Sequence, residues 1–171
     1  MALLQLTDER PDEEIRQLVL ATIADAEAEW APLKYEGEYP ENGIGITIMR
    51  PRHVGLATDK WQMTVTTAWA DWINKTLGDN NYEIITGLFN LTIDPATTEL
   101  YPSANGKDMP RFNIEQLYAL DLARAWFTKP FAVKANNNLT IQAIGRVMQT
   151  ERLGLMGYTL AKRSYLLTAA P

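Results

Sequence analysis

Hydrophobic and polar positions follow two different rhythms along this chain. Between residues 11 and 30, Ile15, Leu18, Val19, Thr22, Ile23, Ala26 and Trp30 recur every three or four positions and share one face of a helix. Pro11 suits the first turn, where a missing N–H costs nothing. Asp12, Glu13 and Glu14 meet the positive end of the helix dipole, and Pro32 closes the helix. The apolar stripe has two possible uses, packing on the protein's own body or reaching a neighbour.

After a linker-like run from Tyr35 to a turn at Asn42-Gly43, the rhythm changes to a period of two. Ile44, Ile46 and Ile48 alternate with Gly45, Thr47 and Met49 until Pro51 interrupts; Trp61, Met63 and Val65 form the next alternation. Residues 67–78 fit either period. Trp69, Trp72, Ile73, Thr76 and Leu77 also make a helical face that Thr67 could cap and Gly78 could end, and a short helix after a strand is the expectation. Asp79-Asn80-Asn81 is a turn cluster, and 82–93 reads as one long strand or two short ones broken at Gly87. Residues 95–111, with Pro102, Asn105-Gly106 and Pro110, predict a long surface loop, which in a compact domain is functional or lies at an interface.

Residues 113–127 again allow two readings. As a helix, Asn113 caps, Gln116 completes a capping box, Ile114, Leu117, Tyr118, Leu122 and Ala125 share a face, and Pro130 stops it. Asn136-Asn137-Asn138 tolerates left-handed backbone and suits a hairpin turn. Leu139, Ile141 and Ala143 then alternate with polar neighbours. After a turn around Gly154 to Gly157, Tyr158, Leu160 and Lys162 alternate in the same way, and the two segments read as a strand pair. One helix, many strands and one or two inserted helices argue against a doubly wound parallel sheet and for a mainly β antiparallel sandwich.

Charge divides the chain. Up to Glu41 there are eleven acids against Arg10, Arg16 and Lys34, a net of −8, which leaves +3 for the rest of a chain whose total is −5. The division predicts an acidic amphipathic helical arm over 1–34 and a β-rich sandwich domain over 35–171. The arm could dock on its own body, on another copy or on a foreign partner. Dispersed basic residues without interleaved aromatics make nucleic acid a poor partner. No window approaches the roughly eighteen consecutive apolar residues of a membrane span. Met1 to Gln5 lacks the basic end and apolar run of a signal peptide.

Catalytic candidates are few. Without cysteine there is no disulfide framework, zinc knuckle, iron–sulfur cluster or thiol nucleophile. His53, the one histidine, lies between Arg50 and Arg52, which disfavour its protonation; a surface or turn role is expected. Ser103 and Ser164 lack a nucleophile elbow. Gly43-Ile44-Gly45 and Gly154-Leu155-Met156-Gly157 lack the remaining residues of a phosphate loop and read as turns. Asp71, Asp94, Asp108 and Asp121 remain as body carboxylates, each explicable by a turn or cap; two of them facing across a cleft would give an acid–base site. Trp30, Trp61, Trp69, Trp72 and Trp126 could line a sugar platform, although their periodic positions suit core or interface anchors. No residue is assigned a catalytic, cofactor or metal role, and no cofactor is expected.

The closing segments carry a resemblance. Lys129-Pro130-Phe131-Ala132-Val133, Leu139-Thr140-Ile141-Gln142, Glu151-Arg152-Leu153-Gly154-Leu155 and Gly157-Tyr158-Thr159-Leu160-Ala161-Lys162-Arg163 resemble the last strands of viral jelly-roll structural proteins. The likeness covers roughly the last forty-five residues and carries over no site residue. It implies a jelly-roll-like sandwich, with the front helix as an addition. It also implies a capsid, minor capsid or capsid-associated subunit of a virus or phage, located in the virion after assembly in the host cytoplasm; otherwise a cytoplasmic location is expected. Its partners would be other copies of itself and other structural proteins, met through the arm and the 95–111 segment. Two alternatives stand beside it: a carbohydrate- or ligand-binding sandwich, and an enzyme with an unrecognised carboxylate site.

Overall fold

The computed structural model describes residues 6–168. The reading of Met1 to Gln5 falls outside them. Among the described residues no helix is long and apolar enough to cross a membrane.

Two antiparallel sheets face each other. The first contains, in spatial order, β1 (Leu6–Thr7), β9 (Arg124–Val133), β5 (Asn81–Asn90), β12 (Leu153–Lys162) and β2 (Ile44–Ile48). The second runs β4 (Ala70–Thr76), β10 (Asn138–Gly145), β6 (Thr97–Ala104) and β7 (Lys107–Asp108), with β8 (Phe112–Asn113) also on β6. A small ribbon pairs β3 (Met63–Val65) with β11 (Gln149–Glu151). Ile85, Leu88, Leu100, Leu139, Ile141 and Leu153 fill the space between the sheets. Burial of such side chains contributes about 1.5–3 kcal/mol each.

The helix α1 (Asp12–Glu29) lies on the outer side of the first sheet. Ile15, Thr22, Ala26 and Trp30 are buried, while Leu18, Val19 and Ile23 are half-buried, so the stripe follows the 3.6-residue period. Ala26 and Trp30 join Ile44, Tyr82 and Leu160 in a second apolar cluster. Asp25 pairs with Lys134 and Glu27 with Lys34, each at 3.5 Å, so the acidic helix meets basic residues of its own chain. The 35–42 run partly covers the outer edge of β2: Ile44 N–H donates to Lys34 O and Ile46 N–H to Gly37 O.

Several expectations are corrected. Residues 67–78 contain a strand, β4, instead of a helix. Its register with β10 shifts between Ile73 and Asp71, leaving Trp72 as an extra residue. A bulge changes the phase of the alternation, so Trp72 and Ile73 both enter the core while Asp71 and Asn74 both face out. That phase change produces three- and four-residue spacings that imitate a helix.

The 95–111 segment holds β6, an inner strand of the second sheet. Its turn formers mark a hairpin at Asn105-Gly106, where φ is 54° and 71°. Pro102 is tolerated because it sits opposite the break between β7 and β8, where its own carbonyl accepts Met109 N–H and no N–H is required. In 113–127 the helix α2 covers only Glu115–Ala119; Asn113 Oδ1 accepts Glu115 N–H at 2.8 Å, and Asp121, at φ 54°, ends the helical path. Ala125 and Trp126 belong to β9. Pro130, also within β9, lies in a bulge between the pairs Gly87–Trp126 and Ile85–Phe131.

The turn placed at 154–157 instead lies in the first half of β12, one continuous strand through both glycines. A Cβ on Gly157 would stand 1.9 Å from Ile84 O, so glycine is required there for strand approach. The segments read as a strand pair, β10 and β12, belong to opposite sheets. Asn136 does adopt left-handed backbone, φ 60°, but its turn carries the chain from one sheet to the other. Strand β5 is single and continuous, with a register shift opposite Thr86.

Candidate functional site

Three groupings of side chains could do something beyond holding the fold. The first is interior. His53 sits in a 3-10 turn (Pro51–Val54) and is only 2% exposed, so it occupies a turn but not the surface. Its Nδ1 accepts Arg50 N–H at 3.1 Å and lies 2.7 Å from Thr159 Oγ1. Thr159 Oγ1 lies 2.6 Å from Glu83 Oε2, and Asn81 Nδ2 donates to Glu83 Oε1 at 2.7 Å. Burial pushes the Glu83 carboxyl up to about 8, opposed by its bonds from Thr159 and Asn81. Burial and then the charge of Arg50 bring His53 down to about 4. Burial also raises Tyr165, whose ring centroid is 6.0 Å from that of His53, to about 12.

An acid, an imidazole and a hydroxyl suggest a nucleophile relay, yet the order is wrong for one. In such a relay the imidazole stands between acid and hydroxyl; here Thr159 stands between the other two and has no exposed surface. The group is a structural polar chain. A second interior acid, Glu151, accepts Thr97 N–H at 2.9 Å, Thr97 Oγ1–H and Asn90 Nδ2–H at 2.7 Å each, and Ala96 N–H. It fastens the start of β6 to β11. The sequence reading missed both acids, although Glu83 leaves a signal as a charged residue inside the run Tyr82-Glu83-Ile84-Ile85. Glu83 and Glu151 are each enclosed by their own donors and share no cleft. Among the described residues no three His, Cys, Asp or Glu side chains gather as metal ligands.

The body carboxylates are dispersed. Asp94 and Asp121 occupy loop positions with φ of 51° and 54°. Asp108 lies on β7, where it bonds the Tyr101 hydroxyl, and Asp71 lies on β4. The tryptophans divide as well: Trp30 and Trp72 are buried, Trp61 packs edge-on to Phe89, and Trp126 lies under Arg10 at 5.5 Å. Ser103 and Ser164 are far apart in the fold, on β6 and on α3 (Arg163–Thr168).

The second grouping is the outer face of the second sheet. Gln142 on β10 is in register with Asp71 on β4 and Tyr101 on β6; Thr140 is likewise in register with Asn74 and Ser103. Gln142 Nε2 donates to Asp71 Oδ1 at 2.9 Å, and Asn74 Nδ2 to Asp71 Oδ2 at 3.2 Å. Beside this row Trp69 meets Tyr101 edge-on, with ring centroids 6.3 Å apart. The Arg111 guanidinium lies 5.0 Å from both ring centroids.

The third grouping is apolar and exposed. Leu91 and Ile93, between β5 and β6, join Val147 and Met148, between β10 and β11, in reaching solvent, with Ile93 88% exposed. Their loops are locked together: Arg146 N–H donates to Ala96 O, its guanidinium to Pro95 O at 2.9 Å, and Leu91 N–H to Arg152 O. Leu120, exposed at the end of α2, stands on the same end of the sandwich through Asn90 N–H to Ala123 O. Against protein-family models, curated proteins and solved structures, the chain matches none.

Proposed function

We propose that this protein is a virion structural subunit, a capsid, minor capsid or capsid-associated protein, that works through protein–protein contacts. The observation that carries the proposal is the apolar loop end formed by Leu91, Ile93, Leu120, Val147 and Met148. Five large apolar side chains held in solvent by hydrogen-bonded loops and by the Glu151 anchor are unfavourable in a monomer and suit a contact surface. Strand order supports the same reading. The sequence β2-β12-β5-β9 in one sheet and β4-β10-β6-β7 in the other agrees with eight strands wound as a jelly roll, an architecture used by viral capsid domains.

The contact surface differs from the one read in the sequence. Helix α1 buries its stripe on its own sheet, and most of 95–111 is sheet, so contacts move to the loop tips at 91–93 and 147–148. Sedimentation of the wild-type protein at micromolar concentration, alone and with candidate capsid proteins, tests the proposal. Oligomers or co-assemblies that Ile93→Asp with Met148→Asp dissolves, with no change in melting temperature, support it. A compact monomer under every condition overturns it.

A further inference from the structure

We infer that the cavity between β2, the 3-10 turn and α3 binds a small organic carboxylate, with Arg163 and the Nε2–H of His53 taking its oxyanion and Pro40 and Leu166 its apolar body. This goes beyond the assembly function and uses no residue of the apolar loop end.

The cavity has a volume of about 290 Å³, a size that suits a small molecule. The 3-10 turn contributes Arg50 and His53 to its wall, the run before β2 contributes Glu38 and Pro40, and α3 contributes Arg163 and Leu166. Arg163 is fixed there because β12 ends at Lys162, opposite Ile44, and Arg163 N–H donates to Gly43 O at 3.1 Å. Pro40 and Leu166 meet over Gly45, where an added Cβ would stand 2.6 Å from one and 2.7 Å from the other.

His53 is the residue that points to a ligand. It is 2% exposed, it lines the cavity, and its Nδ1 accepts Arg50 N–H. Burial keeps the ring neutral, so the proton sits on Nε2, which has no hydrogen-bond partner among the described residues. A buried donor left unpaired is unfavourable, and an acceptor entering the cavity satisfies it. Behind the ring, Thr159 at 2.7 Å from Nδ1 and Glu83 beyond it hold the imidazole in place. The interior polar chain therefore ends on a donor that serves the cavity.

Charge selects the ligand class. Arg163 forms no ion pair among the described residues. Glu36, near enough to feel its charge, accepts Glu41 and Asn42 N–H instead. The planar guanidinium matches a carboxylate in shape. Arg50 has a partner of its own and adds positive charge, not an open fork. Against these two guanidiniums stands Glu38, so the lining carries one net positive charge (2 − 1), which suits a carboxylate better than a phosphate dianion. Pro40 and Leu166 give an alkyl or aryl body an apolar wall, and an inorganic anion gains nothing from it.

His53 is the sole histidine, so long-range proton–nitrogen NMR spectra of its ring report on the site directly. The full chain is titrated at neutral pH with octanoate and phenylacetate, with octanamide and phenylacetamide as neutral counterparts, and with inorganic phosphate. The free protein is expected to show the Nε2–H tautomer. At least one carboxylate is expected to move the Nε2 signal saturably, and to bind at least roughly tenfold more tightly than its amide or phosphate. Arg163→Gln and Leu166→Glu are each expected to weaken binding by roughly tenfold or more, whereas Arg124→Gln, on β9, leaves it unchanged. Circular dichroism melts accompany the variants; if one unfolds the other carries that arm, and the wild-type comparison of acid, amide and phosphate stands without either. The signal is read from one ring whatever the oligomeric state, so the outcome is independent of assembly. The inference is overturned by a proton on Nδ1, by the lack of a saturable shift with both carboxylates, or by an amide or phosphate that binds as tightly. Binding that survives in the folded variants overturns it too.

Discussion

Thr159 joins Glu83 to His53, with its hydroxyl oxygen 2.6 Å from one and 2.7 Å from the other. Because His53 Nδ1 already accepts Arg50 N–H, that nitrogen carries no proton and Thr159 is the group that can donate to it. Thr159 donates to Glu83 when that carboxyl is ionised; once protonated, Glu83 is itself a donor to Thr159, which releases the Thr159 proton toward His53. The pairing accounts for how a carboxyl with no exposed surface persists inside a strand.

A pH profile of stability follows. Folded Glu83 holds its proton up to about pH 8 whereas the unfolded chain releases it near 4.5, so stability falls as pH rises across that window. Folded His53 stays neutral down to about pH 4 whereas the unfolded chain binds a proton near 6.5, so stability falls as pH drops across that second window. Between 4.5 and 6.5 the two slopes oppose each other. Glu83→Gln keeps the chain, since its amide donates to Thr159, and removes the cost of deprotonation. Denaturant titrations are expected to show this variant more stable than wild type by about 3 kcal/mol at pH 7 and by nothing at pH 4. Equal stability at pH 7 would show that Glu83 is not held neutral.

Glu151 predicts the opposite sign. Its carboxyl is the acceptor for Ala96 N–H, Thr97 N–H, Thr97 Oγ1–H and Asn90 Nδ2–H, and Asn90 Nδ2 also donates to the Tyr118 hydroxyl at 3.2 Å. Glu151→Ala leaves buried donors unpaired and opens a cavity. The expected loss is about 3–5 kcal/mol by chemical denaturation, with faster hydrogen exchange at Ala96 and Thr97. The apolar loop end would loosen with it, because the same anchor holds residues 91–96.

What could be read from the sequence, and what could not, divides by the range of the interactions. The helix over 11–30 depends on local period and caps, and it forms over Asp12–Glu29 with the stripe Ile15, Thr22, Ala26 and Trp30 inward. Strand β2 is equally local. The errors at 67–78, 95–111 and 154–157 share a cause: a bulge at Trp72, a proline opposite a gap between strands, and glycines that admit a neighbouring strand are all decided by the partner strand. The candidate face was illegible for the same reason. Asp71, Gln142 and Tyr101 lie far apart in the chain and meet only through the register of three strands. Trp69 and Asp71 drew notice singly, but no sequence period brings them beside Arg111 or Gln142.

Gly157 supplies a test of that last kind. It falls at the register shift between β12 and β5, and an added methyl would be 1.9 Å from Ile84 O and 3.2 Å from Ile85 Cα, both backbone atoms that cannot turn aside. Gly157→Ala is expected to destabilise by at least about 3 kcal/mol or to prevent folding in thermal melts. Gly78→Ala is the control, because nothing lies within 4 Å of the added methyl there. A small effect at both positions would mean that the two strands do not approach as described.

Trp72 provides the last prediction. The bulge turns it into the core, yet its indole Nε1 has no hydrogen-bond partner among the described residues. Trp72→Phe removes both an unpaired buried donor, worth about 1–3 kcal/mol when left unsatisfied, and part of the ring volume, which costs a similar amount. The two effects oppose each other, so the net change is expected within about 1 kcal/mol. Trp72→Ala has no such offset and is expected to lose about 3–5 kcal/mol. Urea titrations of the pair separate the contributions. A Phe variant as unstable as the Ala variant would show that the indole N–H is bonded after all, and with it that β4 does not carry its bulge at this residue.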